Sequence, residues 1–289
     1  MFNELINISN TLQQNASIFM MLSVIFGLLV GSFLNVVIHR LPKMMAHEWH
    51  LNCLELQGKA APNTDTYTLA TPRSSCPICE HKISALENIP LISYIVLKGK
   101  CSHCKTPISL RYPIVEALTG ILIGLVSWKF GYSSTTLFAW IFVFALIALT
   151  FIDFDTQLLP DDITLPLLWL GLLFNLSNGF TDIKSAVVGA AAGYLTLWMI
   201  YWLFKLIRGK EGMGYGDFKL LAAIGAWFGW QILPAVILIS SASAAIIGIS
   251  LIIFKKRGRE VPMPFGPFLA IAGIAALFAG QQLTRYYLA

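Results

Sequence analysis

Apolar residues gather in this chain into long runs, parted by short segments that hold most of the charge. A helix that crosses a bilayer needs roughly 20 apolar residues. Windows of about that length fit 17–38, 113–129, 134–153, 162–178, 184–206, 218–231, 232–254 and 264–284. They predict an all-α polytopic membrane protein with about eight transmembrane helices. The window at 218–231 is the shortest, and the stretch from Gly229 to Pro234 must then form a tight hairpin. Small-residue pairs such as Gly189 and Gly193 suit close helix contacts. Pro262, Pro264 and Pro267 mark the start of the last span.

Composition agrees with this pattern: 56% of the residues are hydrophobic and only 12% charged, with a mean hydropathy of +0.70. A soluble domain of this length is far more polar. The one sizeable polar region divides the chain into an N-terminal segment with the first helix (1–38), an inserted soluble domain (39–112) and a membrane-embedded remainder (113–289). The first run is expected to stay as an anchor. Residues 1–17 carry no Lys or Arg, and His39-Arg40 stand where a signal cleavage site would need small residues.

Charge gives the orientation. With the N-terminus outside and eight helices, the inner segments are about 39–112, 153–161, 207–217 and 255–263. These and the adjoining helix ends hold all 20 Lys and Arg except Lys129, Lys184 and Arg285, so the positive-inside rule assigns them to the cytoplasm. The net charge of +5 therefore reports topology and contact with anionic lipid. No basic and aromatic surface points to nucleic acid.

All five cysteines lie in the 39–112 insertion, which is too small to build a sufficient core without a staple. Cys76-Pro77-Ile78-Cys79 and Cys101-Ser102-His103-Cys104 are two Cys-x-x-Cys knuckles, 21 residues apart. Their four thiolates predict a closed tetrahedral zinc site, which leaves no position for substrate and is therefore structural. Disulfides are the alternative, disfavoured in a reducing compartment. Cys53 is left over as an isolated thiol, and His81 and His103 read as neighbours of the site.

The chemistry is carried by acids at the mouths of apolar runs. Asp153 ends an uncharged stretch that reaches back to Phe130, and Asp217 closes Gly214-Tyr215-Gly216-Asp217. A carboxylate beside lipid is costly unless it has a use. Asp155, Asp161 and Asp162 fit a hydrated edge, with Asp161 or Asp162 capping the fourth span. Asp153 and Asp217 fit it less well and fall on one side of the membrane. Two facing carboxylates share a proton, so one can activate water while the other protonates a scissile carbonyl. The same pair suits a cation site or proton relay in a transporter.

Longer strings then identify a resemblance. Gly31-Ser32-Phe33-Leu34-Asn35 through His39-Arg40-Leu41-Pro42, the two cysteine knuckles with Asn88-Ile89-Pro90, Arg111-Tyr112-Pro113 and Val115-Glu116, Phe151-Ile152-Asp153 with Leu158-Leu159-Pro160-Asp161, and Gly214-Tyr215-Gly216-Asp217-Phe218-Lys219-Leu220 resemble the type IV prepilin peptidase and N-methyltransferase family of GxGD membrane aspartyl proteases. Only the extreme N-terminus and about 44–71 fall outside the match.

The resemblance implies a bifunctional enzyme of the bacterial inner membrane. It would cleave the basic leader of type IV prepilins or type II secretion pseudopilins, then methylate the new N-terminal amine with S-adenosylmethionine. Asp153 and Asp217 would be the protease dyad, and Cys76, Cys79, Cys101 and Cys104 the zinc ligands. No residue is assigned to the methyl donor, whose site is expected in or against 39–112. Gly214 and Gly216 would let an extended substrate approach. Glu116 is expected to bond a neighbouring helix, with substrate contact as the alternative. Lys219 either supports the dyad or reaches the interface.

Overall fold

A computed structural model describes residues 10–59, 67–210, 212–255 and 263–288. The described residues are helical, with no strand beyond two isolated bridges. They form two compact units, 1–144 and 145–289.

In the first unit, α1 (Ala16–Leu56) packs against α3 (Arg111–Phe130), and the short α2 (Ile92–Val96) lies between them in sequence. Glycines set the α1–α3 spacing. A Cβ on Gly27 would stand 3.0 Å from Gly120 Cα, and one on Gly31 2.9 Å from Glu116 Cα. Backbones come this close only where side chains are missing.

Sequence placed the end of the first helix near Ile38, but α1 runs on through Pro42 for 41 residues in all. At about 1.5 Å per residue it is roughly 60 Å long, twice the hydrocarbon thickness of a bilayer. Its continuation is held from outside. Buried Arg40 donates to Thr68 O at 2.9 Å and Pro72 O at 2.6 Å. The start of the insertion thus continues the first helix.

The second unit holds α5 (Asp161–Asn175), α6 (Ile183–Arg208), α7 (Tyr215–Phe228), α8 (Leu233–Lys255) and α9 (Gly266–Leu288), and receives the end of α4 (Ser134–Thr156). At its centre α7 packs against α5, α6 and α9 and is buried almost along its length. The Gly189 and Gly193 pair does serve a helix contact. A Cβ on Gly225 would fall 2.2 Å from Gly189 O, and one on Gly193 2.7 Å from Leu221 O.

Six of the described helices are long and apolar enough to cross a membrane. The expectation of eight included two that are not: α5 with 15 residues and α7 with 14. At about 1.5 Å per residue these reach only some 21–23 Å against a core of about 30 Å. The apolarity of α7 serves burial in protein, whereas α5 leaves Leu165, Trp169 and Leu173 exposed. Chain direction still alternates in this unit. Asp161, at the head of α5, and Lys219, near the head of α7, meet at one end. Asn175, at the foot of α5, meets Ala226 O and Trp227 O at the foot of α7.

Asn175 fixes that far end. Its amide donates to both carbonyls and its oxygen accepts from the N–H groups of Phe180 and Thr181. Every hydrogen-bonding position of a fully buried side chain is used.

Candidate active site and metal centre

Asp153 lies in the last turn of α4 and Asp217 in the first turn of α7. Both are buried, at 4% and 7% exposure. Few ionisable groups sit so deep without a function. They line one cavity of about 390 Å³ together with Asp161, Lys219, Tyr215 and Phe265.

The two carboxylates are held differently. Asp153 Oδ2 accepts the amide of Gly266, the first residue of α9, at 2.9 Å. Asp217 Oδ1 is buried and meets no hydrogen-bond partner among the described residues. An orphaned buried oxygen is expensive; a shared proton or an arriving substrate group would satisfy it.

Sequence gave Gly214 and Gly216 one shared purpose, and the structure separates them. A Cβ on Gly216 would lie 2.7 Å from Leu159 Cβ, so that glycine admits the α4–α5 turn. A Cβ on Gly214 would meet nothing nearer than Asp217 Oδ2, at 3.9 Å. Only Gly214 leaves room for an approaching chain.

Lys219 pairs with Asp161 instead of reaching outward, with Nζ 2.7 Å from each carboxylate oxygen. Asp161 is therefore not a side-chain cap: the N-cap position of α5 is Pro160, and no side chain bonds it. Asp155 is exposed on the last turn of α4 and does not line the cavity. Gly266 went unread in the sequence, although Pro264 and Pro267 bracket it and mark a helix start.

The four knuckle cysteines come together, their sulfurs all within 4.8 Å of one another. Cys76 Sγ is 3.7 Å from Cys104 Sγ, and Cys79 Sγ 4.0 Å from Cys101 Sγ. A tetrahedron with metal–sulfur bonds of about 2.3 Å has edges of about 3.8 Å. The residues thus fit a four-sulfur metal site.

The knuckles are built alike. Cys76 N–H donates to His81 O and Glu80 N–H to Cys76 O; Cys101 N–H donates to Thr106 O and Lys105 N–H to Cys101 O. Glu80 and Lys105 both take positive φ, at 57° and 60°, to close the turns. The hydroxyl and amide of Thr106 draw the Cys104 thiol down to about 6, and the amides of Cys79 and Ile78 lower Cys76. Both favour thiolates. At Cys79 the His81 amide, which lowers the thiol, is outweighed by burial and the thiols of Cys104, Cys76 and Cys101, which push it up to about 12. The case for metal therefore rests on the geometry of the four sulfurs.

Cys53 lies apart, exposed on α1. His81 and His103 stack on each other with ring centres 5.7 Å apart, outside the four-cysteine group. Glu87 joins the two knuckles: Ser102 of the second, then Ser84 and His81 beside the first, pull its carboxyl down to about 2. Glu116 accepts the amide of Leu91 at 2.9 Å. It thereby fixes the insertion to α3, where a bond to a neighbouring helix was expected. Asn35 of α1 donates to Tyr112 O at the head of α3, at 3.1 Å.

Comparison with known proteins follows the same division. Residues 25–130 match the bacterial peptidase A24 N-terminal domain, and residues 140–249 match the type IV leader peptidase family. A protein of Aeromonas hydrophila named prepilin leader peptidase/N-methyltransferase is 54% identical over 266 residues, 91% of this chain and 92% of its own length. Proteins of the same name from Stutzerimonas stutzeri and Pseudomonas aeruginosa are each 52% identical, over 96% and 93% of this chain and the same shares of their own lengths. No solved structure matches the chain.

Proposed function

Because the chain belongs to the type IV leader peptidase family, we propose that it cleaves the leader of type IV prepilins or type II secretion pseudopilins and methylates the newly exposed amine. Asp153 and Asp217 form the protease dyad. The observation that carries this reading is their convergence: two buried carboxylates from separate helices line one cavity at the ends of apolar segments.

The chemistry follows from sharing a proton. One carboxylate takes a proton from water as the oxygen attacks the scissile carbonyl, and the other gives its proton to the carbonyl oxygen. No covalent intermediate forms. As the carbon–nitrogen bond breaks, the nitrogen takes the proton that the first carboxylate drew from water, the second carboxylate takes back the proton it lent to the carbonyl oxygen, and the free amine leaves. S-adenosylmethionine would then supply the methyl group, from a site in or against 39–112, the largest polar part of the chain.

Cys76, Cys79, Cys101 and Cys104 hold zinc as a structural ion. A closed four-sulfur shell clamps the insertion and leaves substrate no place on the metal.

The protein sits in the bacterial inner membrane with zinc domain and dyad toward the cytoplasm. The placement of basic residues supports this orientation, and the alternating helices of the second unit keep the dyad end on one side. A basic leader in the cytoplasm followed by an apolar helix would present its cleavage site at that boundary. Nothing observed favours a transporter.

Incubating purified protein with a prepilin, with and without S-adenosylmethionine, tests the reading by intact mass. The expected products are leaderless pilin without the donor and the same species plus one methyl group with it. Recovery of intact prepilin in both reactions would refute it.

A further inference from the structure

Gly266 lies outside both family matches, which end at 130 and 249, yet it touches the dyad. The geometry points to Gly266 as a positioning residue that sets the Asp153 carboxylate for the peptidase reaction, an inference that rests on the function proposed above.

The first amides of any helix lack partners within it. In α9 their fates are all visible. Pro267 has no N–H, and the amides of Phe268 and Leu269 both donate to Phe265 O. That leaves the Gly266 amide, and it donates to Asp153 Oδ2 from 113 residues away in sequence. The positive end of the α9 dipole adds to the hold on a carboxylate.

Only glycine permits this approach. A Cβ at 266 would stand 2.6 Å from Asp153 Oδ2, 3.2 Å from its Cγ and 3.1 Å from Leu159 Cδ2. Leu159 also fills the space that Gly216 leaves beside Asp217. The side chain of Leu159 is therefore wedged between two glycines, one against each aspartate. Gly266 fixes Asp153 directly by its amide and, through Leu159, fixes the wall it shares with Asp217.

A merely structural cap would change folding; a positioning residue changes turnover. Gly266→Ala, in the full-length protein, should lower kcat for prepilin cleavage by about 100-fold, as expected for a catalytic group displaced by about an ångström. KM for prepilin should stay within about twofold, and methylation of an already cleaved pilin should be unchanged. Cleavage at the wild-type rate would overturn the inference.

Should the alanine protein lose methylation too, replacement of Gly266 by glycolic acid decides, because this ester removes the N–H and adds no Cβ. It should lower kcat about tenfold, the worth of a hydrogen bond to a charged group. Wild-type kcat in the ester protein would overturn the inference whatever the alanine protein does. Failure of the wild type to cleave in the same assay would instead refute the proposed function.

Discussion

Lys219 Nζ stands 2.7 Å from both carboxylate oxygens of Asp161 and so ties the start of α7 to the first turn of α5. The pair is partly exposed, at 29% and 53%, and such pairs contribute at most about 1 kcal/mol to stability. Its position matters more than its energy, because Lys219 is two residues from Asp217 and both partners line the dyad cavity. Lys219→Met should leave thermal stability nearly unchanged but lower cleavage about tenfold by loosening the wall around Asp217. Exchanging the two, with Lys219→Asp and Asp161→Lys together, should recover part of the rate. Wild-type cleavage by Lys219→Met would reduce the pair to a surface contact.

The dyad roles make a sharper demand. Asparagine still offers an oxygen to the Gly266 amide, so Asp153→Asn should insert and fold, but it cannot exchange a proton. Asp153→Asn and Asp217→Asn should each abolish leader cleavage, whereas Asp155→Asn should cleave normally. Methyl transfer needs a neutral amine beside an activated methyl group, not a carboxylate pair. Asp217→Asn given a cleaved pilin and S-adenosylmethionine should therefore still add the methyl, read by mass spectrometry. Loss of methylation in that folded variant would mean that the two reactions share a site.

The metal centre predicts about one zinc per chain by elemental analysis. Replacing Cys76, Cys79, Cys101 or Cys104 by Ser should release it and expose 67–112 to protease, as should a strong chelator. Cys53→Ser should keep the zinc, since Cys53 lies exposed on α1 away from the cluster. Zinc-free protein with a disulfide between the knuckles, purified under reducing conditions, would contradict the assignment.

Helix packing in the second unit can be tested at one atom. Gly225→Ala places a methyl group 2.2 Å from Gly189 O, where only backbone can give way, while the nearest atom to a Cβ at Gly280 is 3.7 Å off. Overpacking of this kind costs about 1–3 kcal/mol. Gly225→Ala should lower the thermal midpoint in detergent, and Gly280→Ala should not. Equal midpoints would show that α6 and α7 can part without cost.

What was legible in the sequence was whatever lies close together in it. The knuckles declare themselves by Cys-x-x-Cys spacing, and Asp153 and Asp217 by standing at the mouths of apolar runs. The expected eight spans are not confirmed, because run length cannot tell burial in protein from burial in lipid; α7 is apolar on account of its protein neighbours. The supports of the site were invisible for a simpler reason. Arg40, Asn175 and Gly266 find partners 28, 51 and 113 residues away, and no local pattern announces such pairs.

Glu87 gives the insertion a pH dependence whose sign is fixed by geometry. The Ser102 hydroxyl, then the Ser84 amide and hydroxyl, hold its carboxyl at about 2 against an ordinary 4.5. A carboxylate bound more tightly in the folded state adds stability in full above its unfolded pKa, and that stability fades as pH falls through the folded value. Glu87→Gln keeps the shape and removes the charge. Hydrogen exchange of residues 76–104 should show the variant less protected than wild type at pH 7. The difference should shrink below about 4.5 and vanish near 2. Comparing two proteins with the same thiolates cancels the cysteines' own titration and any loss of metal common to both. A difference that stays constant down to pH 2 would mean that Glu87 acts through shape alone.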